Sequence, residues 1–523
     1  MNSPMRKIVI FLVLTGLLLS ACGSNLWGTY PPRMTPTPTP IVTVPANPIL
    51  TPTNIYLPSS TTQAATVLPS PTITPTIAAV NPVTQRPSIF YPSQSGDTLE
   101  AVALHFGVQV SDISSSVSLP GTGFLNPGTP LLIPNRLSQI PNTPSVKIIP
   151  DSEVVYSPSA QDFDIGSYVN SAGGKLKDYR EYMATVGWIS GADGVQRMAY
   201  GSSISPRMLL ALIQYYTGWV QGEPKPGVDE TDPLGYHDPL YRTLYQQLRL
   251  IVRELLAGYY GWRDGTLSAL TFPDGTTLPL APDLNAGTVT LQYMFSRHLN
   301  YADWLQAIDP DTGFPALFTS MFGDPWQHAR EIGPLFPPDL AQPVFTLPFE
   351  VGALWAFTGG PHAAWEQESA LAALDFAPAM DAPGCGVSTA WVVAIATGQI
   401  VRSAAGYVVL DLDGDGFEQT GWVVLYQHIA TKDRIPVGPV FVGDHIGHPS
   451  CEGGLSTGTH VHIARKYAGE WVSAGDPLPF VLSGWTAHAG SQLRQGTLTK
   501  GDNTITVSFV GSRESQIIRQ PGE

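Results

Sequence analysis

The sequence predicts a multidomain α+β protein: a small βααβ module, a helical middle domain and a C-terminal antiparallel β-sheet domain. Three observations carry that prediction. The chain has 523 residues, too many for one ordinary core and enough for several. Its texture changes along its length. Pro/Thr-rich sequence before residue 89 gives way to long amphipathic periodicities over 151–345, and these to short alternating runs broken by turn residues from 346 onward. Histidines gather at the far end, with 7 of the 11 lying from His362 on.

At the N-terminus, Arg6 and Lys7 precede an apolar run of 12 residues, Ile8 to Leu19. A membrane span needs about 20, so residues 1–21 read as an export signal. The run ends in Leu19-Ser20-Ala21-Cys22-Gly23, which resembles the lipobox of bacterial lipoproteins. The resemblance implies that Cys22 is lipidated, giving an extracytoplasmic, cell-envelope protein anchored to the membrane. An ordinary signal peptide is the alternative. Residues 22–88 are a linker whose style is set by Thr35-Pro36-Thr37-Pro38-Thr39-Pro40, a composition that cannot bury a core. With Cys22 lipidated, Cys385 and Cys451 remain, an even pair in an oxidising compartment. A disulfide is expected between them, and two free thiols are the alternative. The formal charge of −15 argues against nucleic acid as a partner.

Residues 89–135 form the first folded unit. Ile89 to Tyr91 open a strand, Thr98 caps a helix, and Leu99, Val102, Ala103 and Phe106 recur at helical spacing up to Gly107. Ile113 lies in a second short helical turn, and Leu131 to Ile133 make a closing strand. Gly96-Asp97-Thr98-Leu99, Phe106-Gly107, and Asn126-Pro127-Gly128 before Leu132-Ile133-Pro134 resemble a LysM module. The resemblance implies affinity for N-acetylglucosamine-containing glycans, with Gly96, Asp97, Thr98, Asn126, Pro127 and Gly128 as the glycan-contacting residues.

Residues 151–345 read as helical. Ser205 caps one helix, Pro206 fits its first turn and Gly218 ends it. Tyr241, Leu244, Tyr245, Leu248, Ile251, Leu255 and Leu256 mark another, which Gly258 is expected to stop. Asn285-Ala286-Gly287 starts a third. The stretch Ser205–Gln214 faintly resembles the start of lysozyme-like lytic transglycosylases, where a glutamate stands at the position of Gln214. Glutamine has no titrating proton and cannot act as that acid, so this domain reads as a scaffold of unknown role.

The stretch Thr459-His460-Val461-His462-Ile463-Ala464 alternates as a strand does, so His460 and His462 project to one side. Two imidazoles on one wall suit a metal site. Two further stretches join it: Gly359-Gly360-Pro361-His362 with Ala373-Leu374-Asp375-Phe376, and Leu425-Tyr426-Gln427-His428. Together they closely resemble the lysostaphin-type zinc peptidases, nearest the beta-lytic, LasA-like branch, over roughly 346–485. The spacing of His362 and Asp375, 375 − 362 = 13, fits that branch. The resemblance implies that His362, Asp375 and His462 bind one Zn2+, with His428 and His460 as active-site histidines that do not ligate. It further implies hydrolysis of peptide bonds in peptidoglycan. Glu366 and Glu368 lie between the first two ligands and read as solvated surface. His445 and His448 read as surface or rim, and His488 as incidental. Residues 486–523 are a C-terminal β extension.

Asp411-Leu412-Asp413-Gly414-Asp415-Gly416 looks like the start of a Ca2+ loop, but Trp422 stands where such a loop needs a bidentate glutamate. A polar hairpin turn is the default, with Ca2+ at Asp411, Asp413 and Asp415 as the alternative. The expected function is that of an exported, lipid-anchored zinc endopeptidase of the cell wall. The alternative is a non-catalytic wall-binding lipoprotein that activates a separate peptidoglycan amidase.

Overall fold

The structure, a computed structural model, describes residues 86–523 except 138–140, 185, 367, 380, 382 and 383. The export signal, Cys22 and nearly all of the linker lie outside the described residues. Among the described residues no helix is long and apolar enough to cross a membrane.

Residues 89–133 fold around Val102, Phe106, Leu131 and Ile133, all buried. The strand Ile89–Pro92 pairs antiparallel with Pro130–Ile133. The helix Leu99–Phe106 starts where the Thr98 side chain accepts from Ala101 N and ends at left-handed Gly107. The second short helical turn is a 3₁₀ turn, Val110–Asp112, with Ile113 at its end. A two-residue strand, Ser114–Ser115, follows and pairs with Pro130–Ile133.

The middle domain is helical and also carries two hairpins the sequence did not suggest, Arg180–Met183 with Gly187–Ser190 and Ala269–Thr271 with Thr277–Pro279. The helix Pro206–Thr217 is capped by Gly218 in the left-handed region, φ 69°. Its Gln214 is structural: Oε1 accepts from Val220 N and Gln221 N, both at 2.9 Å. The next long helix runs from Leu244 to Arg263, so Gly258 does not stop it. The missing side chain there serves a close crossing, since a Cβ at Gly258 would lie 2.9 Å from Thr290 Cα of the helix Ala286–Ser296.

The C-terminal domain is built on a nine-stranded sheet. Its order runs Gly438–Val440, Gly398–Ala404, Tyr407–Asp411, Trp422–Gln427, Val461–Tyr467, Ala373–Pro378, Leu354–His362, Gln516–Ile518, and Glu470–Trp471 pairs with Val461–Tyr467 off that path. Alternation sets its two faces. Val408, Leu410, Val424, Tyr426, Val461 and Ile463 pack into the domain's own core. Val409, Val423, Leu425 and Ala464 point the other way and join the core of the helical domain. The helical domain thus covers one face of the sheet. In the stretch Trp391–Ala396 only Val392–Val393 forms a strand. The boundary expected at 485 falls inside a four-stranded sheet of Val481–Leu482, Trp485–Ala489, Gly496–Lys500 and Asn503–Thr506.

Arg263 links the LysM-like module, the helical domain and the sheet domain. Its buried guanidinium donates to Ser95 O at 2.5 Å, to Asp151 Oδ2 at 2.9 Å and, through Nε, to Glu470 Oε1 at 2.9 Å. Beside it, His105 stacks on Trp262 with ring centroids 3.5 Å apart and donates through Nε2 to the Trp262 carbonyl at 3.0 Å. Burial, with Arg263 nearby, lowers the His105 pKa to about 4 even though the carbonyl raises it. The unfolded chain therefore binds a proton near pH 6.5 that the folded chain refuses until about 4, and stability falls as pH drops through that window. Buried Asp97, raised to about 6 mainly by desolvation, acts with the opposite sign. Comparison with His105→Gln isolates the histidine: between pH 7 and 5 wild type should lose about 2 kcal/mol more than the variant in urea titrations.

Candidate metal centre

The site forms where three neighbouring strands end. In the register, His462 lies directly across from Asp375, and Gly359 across from Asp375 on its other side. The pairing slips between Gly359 and His362, and this bulge brings the first histidine alongside the other two residues. The result is a triangle of donor atoms. His362 Nε2 lies 3.1 Å from His462 Nδ1 and 3.2 Å from Asp375 Oδ1, and His462 Nδ1 lies 3.3 Å from Asp375 Oδ1. Ligands held about 2.0–2.1 Å from a tetrahedral zinc lie about 3.3 Å apart, so the triangle has the right size. All three residues are buried.

The donor chemistry also fits. His362 Nδ1–H donates to the Gly360 carbonyl at 2.8 Å, which leaves the Nε2 lone pair facing the triangle. Asp375 Oδ1 is buried with no hydrogen bond directed at it, as is His462 Nε2. An orphaned carboxylate oxygen is what a cation would satisfy. Burial alone would raise the Asp375 pKa. The nearby His362, His460 and His462 outweigh it and hold the carboxyl well below its usual range. Burial lowers His462 to about 4, which keeps it in the neutral, ligating form.

His428 and His460 stand beside the triangle with ring centroids 4.5 Å apart. His428 Nδ1–H donates to Glu452 O at 2.8 Å, and His460 Nδ1–H donates to Gly458 O at 2.7 Å. Each keeps a free Nε2, and that of His460 lies 3.7 Å from Asp375 Oδ1. Burial, reinforced by His460 and His462, lowers His428 to about 3. His428 follows its strand in the left-handed region at φ 67°, a conformation costly for a residue with a side chain and typical of functional positions. Its carbonyl is fixed by Ser450 N at 2.7 Å. Next to Ser450, Cys451 is bridged to Cys385, with Cα atoms 5.6 Å apart. The bridge ties the segment that presents the Glu452 carbonyl to the one whose Gly384 O accepts from Thr459 N at 3.0 Å.

One residue of the site carries no sequence signal. Arg494 Nη1 lies 3.2 Å from Asp375 Oδ2 and its side chain is 50% exposed. Arg494 O also accepts from Gly360 N at 2.8 Å. This close approach explains Gly359-Gly360: a side chain at Gly359 would strike the Asp375 carboxylate, and one at Gly360 the Gln495 carbonyl. Arg494 leaves Oδ1 as the free oxygen of the carboxylate. Outer partners of ligands commonly contribute 10–100-fold to metal affinity. Arg494→Ala should therefore weaken zinc binding by about ten-fold or more, measured by competition with a chromophoric chelator.

Other expected residues fall elsewhere. Glu366 and Glu368 turn away from the site and pair with Arg249 and Arg253. His445 is half exposed beside Glu350, whereas His448 is buried, and the two flank Trp391. His448 is thus not a surface residue, because the indole and Ala390 O cover it. His488 is exposed and meets the Thr499 hydroxyl. The carboxylates of Asp411, Asp413 and Asp415 come within 4.8 Å of one another, but the first already accepts from Asp413 N and Gly416 N.

Of the expected glycan contacts on the LysM-like module, Gly96, Asp97, Thr98 and Asn126 face inward or toward the helical domain. Asp97 is buried and accepts from the Tyr91 hydroxyl and Gln94 N, both at 2.7 Å. Thr98 is consumed in capping, and Gly96 lies under the Arg263 guanidinium. Asn126 is exposed but exchanges hydrogen bonds with Asp339, at 3.1 and 2.8 Å. Pro127 is half-buried and Gly128 exposed.

Comparison with known proteins bears on this architecture. Residues 94–134 match the LysM domain, and residues 147–336 match the family described as LasA, N-terminal domain. Protease LasA of Pseudomonas aeruginosa strain UCBPP-PA14 is 26% identical over 355 residues, which cover 63% of this chain and 76% of that protein. The strain PAO1 protein is 25% identical over 356 residues, with the same coverage. Among solved structures, "A Novel M23 Metalloprotease Pseudoalterin from Deep-sea" is 22% identical, with TM-score 0.27, covering 32% of this chain and 96% of that one. The catalytic domain of lysostaphin from Staphylococcus simulans is 21% identical, with TM-score 0.17, covering 24% and 89%. The helical domain, for which the sequence suggested only a scaffold, is therefore the counterpart of a domain found in LasA. The chain is a LysM-containing protein similar to the LasA-like, lysostaphin-type peptidases.

Proposed function

We propose that the chain is a zinc-dependent endopeptidase that hydrolyses peptide bonds in peptidoglycan. The observation that carries this reading is the triangle of His362 Nε2, Asp375 Oδ1 and His462 Nδ1, with sides of 3.1 to 3.3 Å, flanked by two histidines with free Nε2 atoms. Two neutral imidazoles and one carboxylate leave a fourth tetrahedral position open. When bound there, zinc would supply Lewis acidity and lower the pKa of water. The chain's own part is proton transfer and charge stabilisation. Either Nε2, of His428 or of His460, can take a proton from the attacking water and pass it to the leaving amine. Once it holds that proton, the same ring can also donate to the developing oxyanion. Their tautomers are preset by the Glu452 and Gly458 carbonyls, so no rearrangement precedes the reaction.

The LysM module supports a wall-bound substrate, and lipidation at Cys22 would tether the enzyme through the 22–88 linker. The filled ligand set favours catalysis over the amidase-activating alternative. The test is release of new amino groups from purified peptidoglycan by the full chain, abolished by a chelator and restored by zinc. Mass spectra of the fragments identify the bond cut. Hydrolysis that survives both chelation and His462→Ala would refute the reading.

A further inference from the structure

We infer that the groove of the LysM-like module is closed by a strap of the chain itself, so that docking of the module and capture of an acetamido sugar exclude each other. The inference rests on the glycan reading of that module and is independent of the zinc site. The groove lies where two loops of the module run side by side. Leu125 N donates to Asp97 O and Gly128 N to Ser93 O, both at 2.8 Å, and Ser93 Oγ donates to Asn126 O at 2.7 Å. Loops 93–98 and 124–129 thus form one face. Ser95 Oγ, the Asn126 amide and the Phe124 ring reach beyond it to other parts of the chain.

Residues 333–339 cross this face. They follow the helix Pro325–Ile332 and form neither helix nor strand. Ser95 Oγ accepts from Phe336 N at 2.8 Å and lies 3.4 Å from Phe336 O. Asn126 Oδ1 accepts from Asp339 N at 2.8 Å, and Asn126 Nδ2 donates to Asp339 Oδ1 at 3.1 Å. Phe336, only 2% exposed, packs on Phe124 with ring centroids 4.7 Å apart. One short segment therefore engages both loops. Pro334, Pro337 and Pro338 restrict its backbone, so it loses little freedom on lying in the groove. Asp339 sits in the left-handed region at φ 57°, uncommon for a residue with a side chain, and its pair with Asn126 holds it there.

The chemistry of the strap indicates what it excludes. It presents backbone N–H and C=O groups and one apolar ring to the groove. An acetamido sugar offers the same set, an amide N–H and C=O beside a ring face. Strap and sugar therefore compete for Ser95, Asn126 and Phe124. Contacts outside the groove favour the strap. His105 stacks on Trp262, and a Cβ at Gly265 would strike Leu104 of the same module. Arg263 donates to Ser95 O and covers Gly96. The docked state dominates, and the apparent affinity for sugar is reduced by the fraction of open module. A wall dense in acetamido sugars opens the module by mass action, since sugar binds the open state alone.

The test measures binding of chitopentaose to full-length chains by calorimetry. Phe336→Ala with Asp339→Gly loosens the strap and leaves the module's own residues intact. This variant should bind about ten-fold or more tighter than wild type. Adding Asn126→Ala should remove the gain, and cellopentaose, which has no acetamido groups, should show none. Should the strap variant fail to fold, His105→Ala, which lies outside both loops, decides by the same rise. A folded strap variant that binds no tighter than wild type overturns the inference, as does a gain that survives Asn126→Ala or that cellopentaose shares. Chitopentaose binding by none of the chains overturns the glycan reading of the module and the inference with it. Amine release from peptidoglycan tests the zinc-site reading separately.

Discussion

Replacing His462 with alanine is expected to abolish zinc retention and lower peptidoglycan hydrolysis by roughly a thousand-fold or more, because ligands act as a unit and removing one forfeits most of what all contribute. Its Nδ1 closes the donor triangle at 3.1 Å from His362 and 3.3 Å from Asp375. Without it one imidazole and one carboxylate remain, too few to hold a tetrahedral catalytic zinc firmly. The fold should survive, since Val461 and Ile463 on either side supply the core contacts of that strand. Metal analysis after dialysis and an amine-release assay check both halves. Full zinc content in His462→Ala would place the ion elsewhere.

The second large effect separates catalysis from metal binding. His428→Ala and His460→Ala should each retain one zinc and lose about 10²–10⁴-fold in hydrolysis rate, the usual size of a general acid–base contribution. Both rings reach the site through Nε2 while their Nδ1 atoms are held by backbone carbonyls. Neither belongs to the donor triangle. Combining the two substitutions should cost far less than the product of the single losses if both serve one proton path. Loss of zinc from either variant would move that histidine into the ligand set.

What the sequence revealed, it revealed through local regularity. His460 and His462 are two apart on an extended segment, and period two alone puts them together. Asp375 carries no such signal. Its place came from family spacing, and the pairing of Asp375 with His462 is long-range. Arg494 was illegible because it sits 119 residues from its carboxylate partner in a segment without a motif. The ion pairs of Arg249 with Glu366 and of Arg253 with Glu368 were hidden in the same way. Arg249 and Arg253 look like an ordinary charged helix face, and Glu366 and Glu368 like a solvated loop, until the domains are placed together. Gly258 was misread because a glycine needed for a close helix crossing looks, in sequence, like one that ends a helix. Thr98 caps its helix as expected, but nothing local announced that Arg263 would cover Gly96.

Diffraction at the zinc absorption edge from crystals of the full chain, purified without chelator and given one equivalent of zinc, tests the central claim most directly. The account predicts one strong anomalous peak bounded by His362 Nε2, Asp375 Oδ1 and His462 Nδ1. A peak bound by other residues, or no peak, would contradict it.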